Sequence, residues 1–128
     1  MGILNALFGS ALGGAEMVEA AKAYEWQQAN QACIVDVREP SETKSGMVKG
    51  AVNFPVAQVV GGSAEWMEFF KNKCQGKKLV VYCASGGRSG AAASHLKSQF
   101  KDQNIEVYNM GGIKNCAGAG LHTPEVTP

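Results

Sequence analysis

The chain has 128 residues, with 12 basic and 11 acidic side chains and a formal net charge of +1. That length fits one domain, and its 45% hydrophobic content is enough for a single core. No basic patch stands out, which argues against a nucleic-acid partner, and no apolar run approaches the ~18 residues of a membrane span.

The opening stretch, MGILNALFGSALGG, is mildly apolar and carries no Lys or Arg. Without a basic leading region it does not read as a secretory signal. Its four glycines and one serine disfavour a short helix, so residues 1–14 are expected to be a flexible tail rather than an amphipathic docking segment. Residues 17–18 read as a very short strand. Residues 19–29 are rich in Ala, Glu, Lys and Gln and are expected to be helical. Ala20, Ala23 and Tyr24 form an apolar stripe at i, i+3, i+4, which Gln27 interrupts. Residues 32–37, ACIVDV, read as a buried strand stopped by Pro40, with Glu39-Pro40 as a plain turn. Residues 41–50 are polar and punctuated by glycines, mostly loop with room for one helical turn. Residues 51–54 make a short strand that Pro55 ends.

Gly61-Gly62 breaks the chain again. Ser63 is placed to cap a helix that runs to about Lys73, with Trp66, Phe69 and Phe70 at i, i+3, i+4. Gln75-Gly76 is a turn, and residues 78–82, KLVVY, are the best strand in the chain. After the next loop, Ala92, Ala93, Leu96 and Phe100 give a helical face. Residues 105–108 are another strand, and Gly111-Gly112 is expected to open a short helix over 113–119. The tail HTPEVTP, 122–128, carries two prolines and is expected to be loose.

Strands alternate with helices, and the strands are apolar runs rather than half-polar ones. That argues for an α/β domain over residues 15–121, its parallel sheet covered on both faces. Ligands of such sheets bind beyond the carboxyl ends of the strands. Cys83 lies at one such end; Asp36 and Arg38 lie at another.

The four cysteines, Cys33, Cys74, Cys83 and Cys116, are not spaced like a small disulfide-stapled secreted scaffold. There is no CxxC and no Cys/His cluster, so no metal site is expected, and nothing calls for a cofactor. A cytoplasmic protein with reduced thiols is the plain reading.

The segment VVYCASGGRSG carries the most chemistry. A helix N-terminus and a nearby cation both stabilise a thiolate, and together they lower a Cys pKa from ~8.5 by several units. Ala84, Ser85, Gly86 and Gly87 let the backbone curl so that its N–H groups face inward, as in an anion-binding nest. Arg88 supplies the cation, Ser85 and Ser89 supply further donors, and the following helix adds its positive end. This requires a Cys83 thiol more acidic than free cysteine and within reach of solvent.

Four segments in this order and spacing resemble the rhodanese domain family, specifically its small single-domain members: IVDVREP, then G-x-x-x-G-A-x-N-F-P at 46–55, then YCASGGRS, then MGGIKNCAGAGL. The resemblance runs over about residues 17–121. It implies a central five-stranded parallel sheet with helices on both faces, and an active cysteine that holds a sulfane sulfur as a persulfide. Cys83 would be the carrier, with Ala84 to Arg88 as the loop around it. Asp36 and Arg38 match the family's Asp-x-Arg and are expected to tie strand ends and loops together. Where the family often has Gly-His-Ile the chain has Gly46-Met47-Val48, and Cys116 stands where a Trp is common. Cys116 reads as a tolerated core residue rather than a sulfur relay.

The resemblance implies a sulfurtransferase that moves sulfur from a small donor, thiosulfate or a persulfide, to a thiol or protein acceptor; a monomer is expected. Phosphatases and arsenate reductases of the same wider family place five residues between cysteine and arginine; here there are four, which favours sulfur over a tetrahedral oxyanion. A low-turnover sulfur-carrier or interaction module is the other alternative. The loop lacks the Cys-Gly-x-Gly-Val-Thr pattern of mercaptopyruvate-using relatives. His95 and His122 sit in no motif and are expected to be non-catalytic.

Overall fold

The computed structural model describes residues 16–118. The tails expected at 1–14 and 122–128, and the outermost residues of the 15–121 domain, lie outside them. Five strands form one sheet: β1 (Glu16–Met17), β2 (Ala32–Asp36), β3 (Val52–Asn53), β4 (Lys78–Cys83) and β5 (Val107–Gly112). Their order is β1-β5-β4-β2-β3, and every pairing is parallel. Among the described residues there are six helices, of which the first five connect the strands and the last follows β5: α1 (Ala20–Gln28), α2 (Pro40–Thr43), α3 (Val56–Gly61), α4 (Ala64–Lys73), α5 (Gly87–Gln99) and α6 (Ile113–Gly118).

The apolar runs occupy the centre because both of their faces are covered. Val35, Leu79, Val80, Val81 and Tyr82 expose none of their surface, and each fully buried aliphatic side chain stabilises the fold by ~1.5–3 kcal/mol. Val35, Leu79, Val81 and Cys83 join residues of α3, α4 and α5 in one core. Ile34, Val80 and Tyr82 join α1, Met110 and Cys116 in the other. The parallel α/β sheet with helices on both faces is therefore present as expected. No helix among the described residues is long and apolar enough to cross a membrane.

Ser63 caps α4: its hydroxyl accepts the Trp66 N–H at 3.1 Å. Glu65 in the first turn and Lys71 and Lys73 in the last complement the helix dipole. Trp66 packs against Phe54, Phe69 and Phe70, and Phe70 stacks on Phe100.

Three expectations need correction, and one element is added. The first strand sits one residue earlier than 17–18. Residues 56–61, for which the sequence predicts no element, form α3, which Gly62 ends at φ +68°; its one buried residue, Val59, points into the core. Glu39-Pro40 is not a plain turn: Glu39 caps α2 through a reciprocal capping box with Glu42, with Pro40 in the first turn. The last strand runs over 107–112 rather than 105–108, so Gly111-Gly112 belongs to the strand and leads directly into the expected helix at Ile113. The reason is a bulge. Val81 pairs with Asn109 but Tyr82 with Gly111, and the buried Asn109 side chain accepts the Gly111 N–H at 2.9 Å. That extension carries β5 beside the loop after Cys83.

Candidate active site

β4 ends at Cys83, and the chain must turn within three residues before α5 begins. Gly86 makes the turn possible. It precedes α5 at φ +103°, a conformation L side chains rarely adopt. On the other side, a Cβ on Gly112 would stand 2.6 Å from the Ala84 carbonyl oxygen. Only glycine lets β5 approach that closely.

The turn aims backbone donors at one atom. The N–H of Gly86 lies 3.0 Å and that of Ser89 3.3 Å from Cys83 Sγ, and the Ser85 N–H adds to them. The Ser89 hydroxyl is 3.4 Å from the same sulfur and 3.2 Å from the Gly86 carbonyl. Its single proton serves one acceptor at a time. When Cys83 is a thiol, its proton goes to Ser89 Oγ and the hydroxyl donates to Gly86; when Cys83 ionises, the hydroxyl turns to the sulfur. α5, 13 residues long, adds its positive end. Burial pushes the Cys83 thiol up, but the Ser89 hydroxyl and the N–H groups of Ser89, Gly86 and Ser85 outweigh it and hold the group below its ordinary value.

Two features depart from the sequence reading. Arg88 is not bonded to the sulfur. Its Nη1 and Nη2 donate to Glu42 Oε1 at 2.6 Å and Oε2 at 2.9 Å. And Cys83 exposes none of its surface, so the expected reach to solvent is not met in this arrangement. The cover is one loop thick: Ser85 and Gly87 are exposed, and Ala84, Gly86 and Arg88 are half-buried.

Glu42 escaped the sequence reading because its partner is 46 residues away. The local signal was there, in a proline followed two residues later by a glutamate, which marks a capped helical turn. Arg88 holds the Glu42 carboxyl down to about 2, helped by the Glu39 N–H, so Glu42 stays ionised throughout the neutral range.

Asp36 and Arg38 set α2 in place. Both are buried. Arg38 Nε donates to both Asp36 oxygens at 2.9 and 3.0 Å, and Nη2 to Oδ2 at 2.6 Å. The same guanidinium then reaches forward, from Nη1 to the Glu42 carbonyl at 3.2 Å and from Nη2 to the Gly46 carbonyl at 2.7 Å. Tyr82 completes the cluster, accepting the Val48 N–H at 2.9 Å with its ring beneath Arg38. One connected path thus runs from Asp36 through Arg38 to α2, from Glu42 to Arg88, and so to the Cys83 loop.

Cys116 belongs to the core on the opposite face of the sheet from Cys83, where burial and the nearby Asp36 push its thiol up to about 11. Among the described residues, no group of three or more His, Cys, Asp or Glu is placed to hold a metal ion. A cavity of about 460 Å³, bordered by Gln31, Lys77, Lys78, Asn104 and Glu106, sits at the amino ends of the strands, away from Cys83.

A Ser89→Ala variant separates the donors. Losing the hydroxyl removes a bond to the thiolate and leaves the amides, so the Cys83 thiol is expected to titrate at higher pH. Alkylation of Cys83 by iodoacetamide, followed against pH, should shift upward in the variant. An unchanged profile would mean that the hydroxyl belongs to Gly86 alone.

A rhodanese-like domain model matches residues 19–118. An uncharacterised Bacillus subtilis protein, YqhL, is 37% identical over 90 residues, which is 69% of this chain and 63% of that protein. The Drosophila grimshawi adenylyltransferase and sulfurtransferase MOCS3 is 33% identical over 72 residues, 56% of this chain and 16% of the relative. The chain thus spans less than two thirds of the length of these relatives. Among solved structures, a rhodanese-related protein from Thermoplasma volcanium superposes with a TM-score of 0.64 at 27% identity, covering 84% of this chain and 95% of its own.

Proposed function

The chain belongs to the rhodanese-like domain family, and from that premise we propose that it is a sulfurtransferase carrying sulfane sulfur as a persulfide on Cys83. The observation that carries this reading is the convergence of backbone N–H groups and the α5 N-terminus on one sulfur atom at a strand end. In the first step the Cys83 thiolate attacks the outer sulfur of the donor. With thiosulfate, the S–S bond breaks and sulfite leaves with its electron pair, needing no acid because it is weakly basic. The loop N–H groups that held the thiolate then face the persulfide. An acceptor, cyanide in a test tube or a thiol in the cell, attacks the terminal sulfur and returns the electron pair to Cys83. Four free thiols fit a reducing, cytoplasmic setting.

Because the loop covers Sγ, uptake passes through a state in which Ser85 to Gly87 have moved aside. Gly86 and Gly87 have little beyond backbone to displace. The phosphatase and arsenate reductase alternative fits less well. Its oxyanion would need the loop donors and the arginine together, whereas here the N–H groups converge on the sulfur and Glu42 holds the arginine.

The test is the intact mass of the wild-type chain after exposure to thiosulfate, a glutathione persulfide and a protein-bound persulfide. A gain of one sulfur atom at Cys83, discharged by cyanide or thiol, is expected with at least one donor. No gain with any of them overturns the reading.

The Arg88–Glu42 pair bears on donor choice. A dianionic donor gains little from a cation already neutralised by a carboxylate, so a persulfide is the better fit. A Glu42→Gln variant frees Arg88. Exposed ion pairs are worth ~0.2–1 kcal/mol, and both residues here are about one-third exposed. The KM for thiosulfate is expected to fall by up to about fivefold, with the persulfide reaction less affected. A KM that rises instead would show that Glu42 holds Arg88 for the donor rather than from it.

A further inference from the structure

Cys33 and Cys74 stand apart from the Cys83 site. In the sheet Cys33 pairs with Leu79, four residues before Cys83 on β4. At a rise of ~3.3 Å per residue, that is roughly 13 Å toward the other end of the strand. Cys33 packs against the same core that α4 covers, and Cys74 is the residue that caps the end of α4. Cys33 Sγ lies 3.2 Å from the carbonyl oxygen of Lys73, the residue before Cys74, and both cysteines pack into the same core, which brings the two thiols into one corner of it at the end of α4. Their surroundings differ. Cys33 is half-buried, whereas Cys74 is 1% exposed.

We propose that Cys33 and Cys74 form a second reactive site, a dithiol that a hydroperoxide oxidises reversibly to an intramolecular disulfide without involvement of Cys83.

The two sulfurs are suited to different roles. A hydrogen bond from Cys74 lowers the Cys33 thiol to about 7 against the opposing effect of burial, with the charge of Lys77 helping. The Cys74 thiol is raised by that same bond and by burial. Cys33 is therefore the accessible thiol that ionises first, giving up its bond to the Lys73 carbonyl as it does so, and Cys74 is the covered, protonated partner, the arrangement of an attacking and a resolving cysteine. The Cys33 thiolate attacks one peroxide oxygen, the O–O bond breaks, and the leaving alkoxide or hydroxide takes a proton from water. Cys33 is left as a sulfenic acid. Cys74 sulfur then attacks Cys33 sulfur, the S–O bond breaks, and the departing hydroxide takes the Cys74 proton as water. The two sulfurs together lose two electrons, and the peroxide gains them.

The test uses the full chain and hydrogen peroxide near one equivalent, followed by thiol blocking, intact mass and peptide mapping. The expected product is lighter by two hydrogens, has Cys33 joined to Cys74 within one chain, and reverts with a dithiol reductant. The Cys83→Ser chain should give the same cross-link. Cys33→Ser should give none, and in Cys74→Ala Cys33 should accumulate oxygen instead. The proposal fails if wild-type Cys33 gains oxygen while Cys74 stays free. It also fails if the bond joins any other pair or two chains, or if both thiols remain open to alkylation. None of these results depends on sulfur transfer.

Discussion

Cys83→Ser is expected to abolish sulfur uptake and transfer while leaving the fold in place. A serine hydroxyl does not ionise near neutral pH, so the loop donors would surround a neutral oxygen with no affinity for sulfane sulfur. Removing a sole nucleophile costs as much as dismantling the catalytic set around it, so turnover should fall by roughly 10³-fold or more. Serine is close to cysteine in size, and the site already offers it partners in the N–H groups of Gly86 and Ser89. Stability should therefore change little. Two measurements check this, the rate of sulfur transfer from the preferred donor and the intact mass after donor treatment. A variant that still gained sulfur would place the carrier at another thiol. Cys33 would then be the first to examine, because it is the half-exposed one. A variant that transferred sulfur without gaining it would remove the persulfide from the mechanism.

The parts of the molecule legible in the sequence are those whose cause is local. The runs at 32–37 and 78–82 announce buried strands because both faces are apolar. Ser63, with Trp66, Phe69 and Phe70 behind it, announces a capped helix. Gly86-Gly87 after Cys83 announces a turn that exposes N–H groups. What stayed hidden depends on distant partners. α3 is too short to be helical by propensity alone; its buried Val59 sets it against the core. The end of β5 was misplaced because Asn109 is polar, and only the fold shows its side chain bonded to Gly111 within a bulge. Arg88 looked like a ligand for the sulfur until Glu42 was folded onto it. The closed roof over Cys83 and the approach of Cys33 to the Lys73 carbonyl, next to Cys74, arise from the packing of α5 and α4 on the sheet, which residue spacing does not encode.

The second large effect is on stability. Asp36→Asn is expected to destabilise the domain by ~3–5 kcal/mol, the cost of removing one partner from a buried ion pair. Asp36 is fully buried and its pair with Arg38 leaves the guanidinium only 5% exposed. The pair is two-pronged, and the Arg38 N–H adds a further bond to Asp36 Oδ1 at 2.9 Å. The carboxylate holds the Arg38 pKa above its ordinary value against burial, first through the hydrogen bond and then through charge. An asparagine there offers one oxygen to several donors and turns its own amide hydrogens toward them. The guanidinium is left charged and unpaired in the interior. Against a total stability of ~5–15 kcal/mol for such a domain, this is a large share, and at ~4–8 °C per kcal/mol thermal unfolding would reveal it readily. A double variant isolates the pair itself. Asp36→Asn with Arg38→Met removes the stranded charge, so it should cost less than the two single changes added together, with a coupling of ~0.5–3 kcal/mol. Denaturant unfolding of the four proteins gives that number directly. If Asp36→Asn lies within about 1 kcal/mol of wild type, the spread expected of ordinary substitutions, the pair is not what holds α2 against the sheet. The path from Asp36 to the Cys83 loop would then be a chain of contacts without energetic weight.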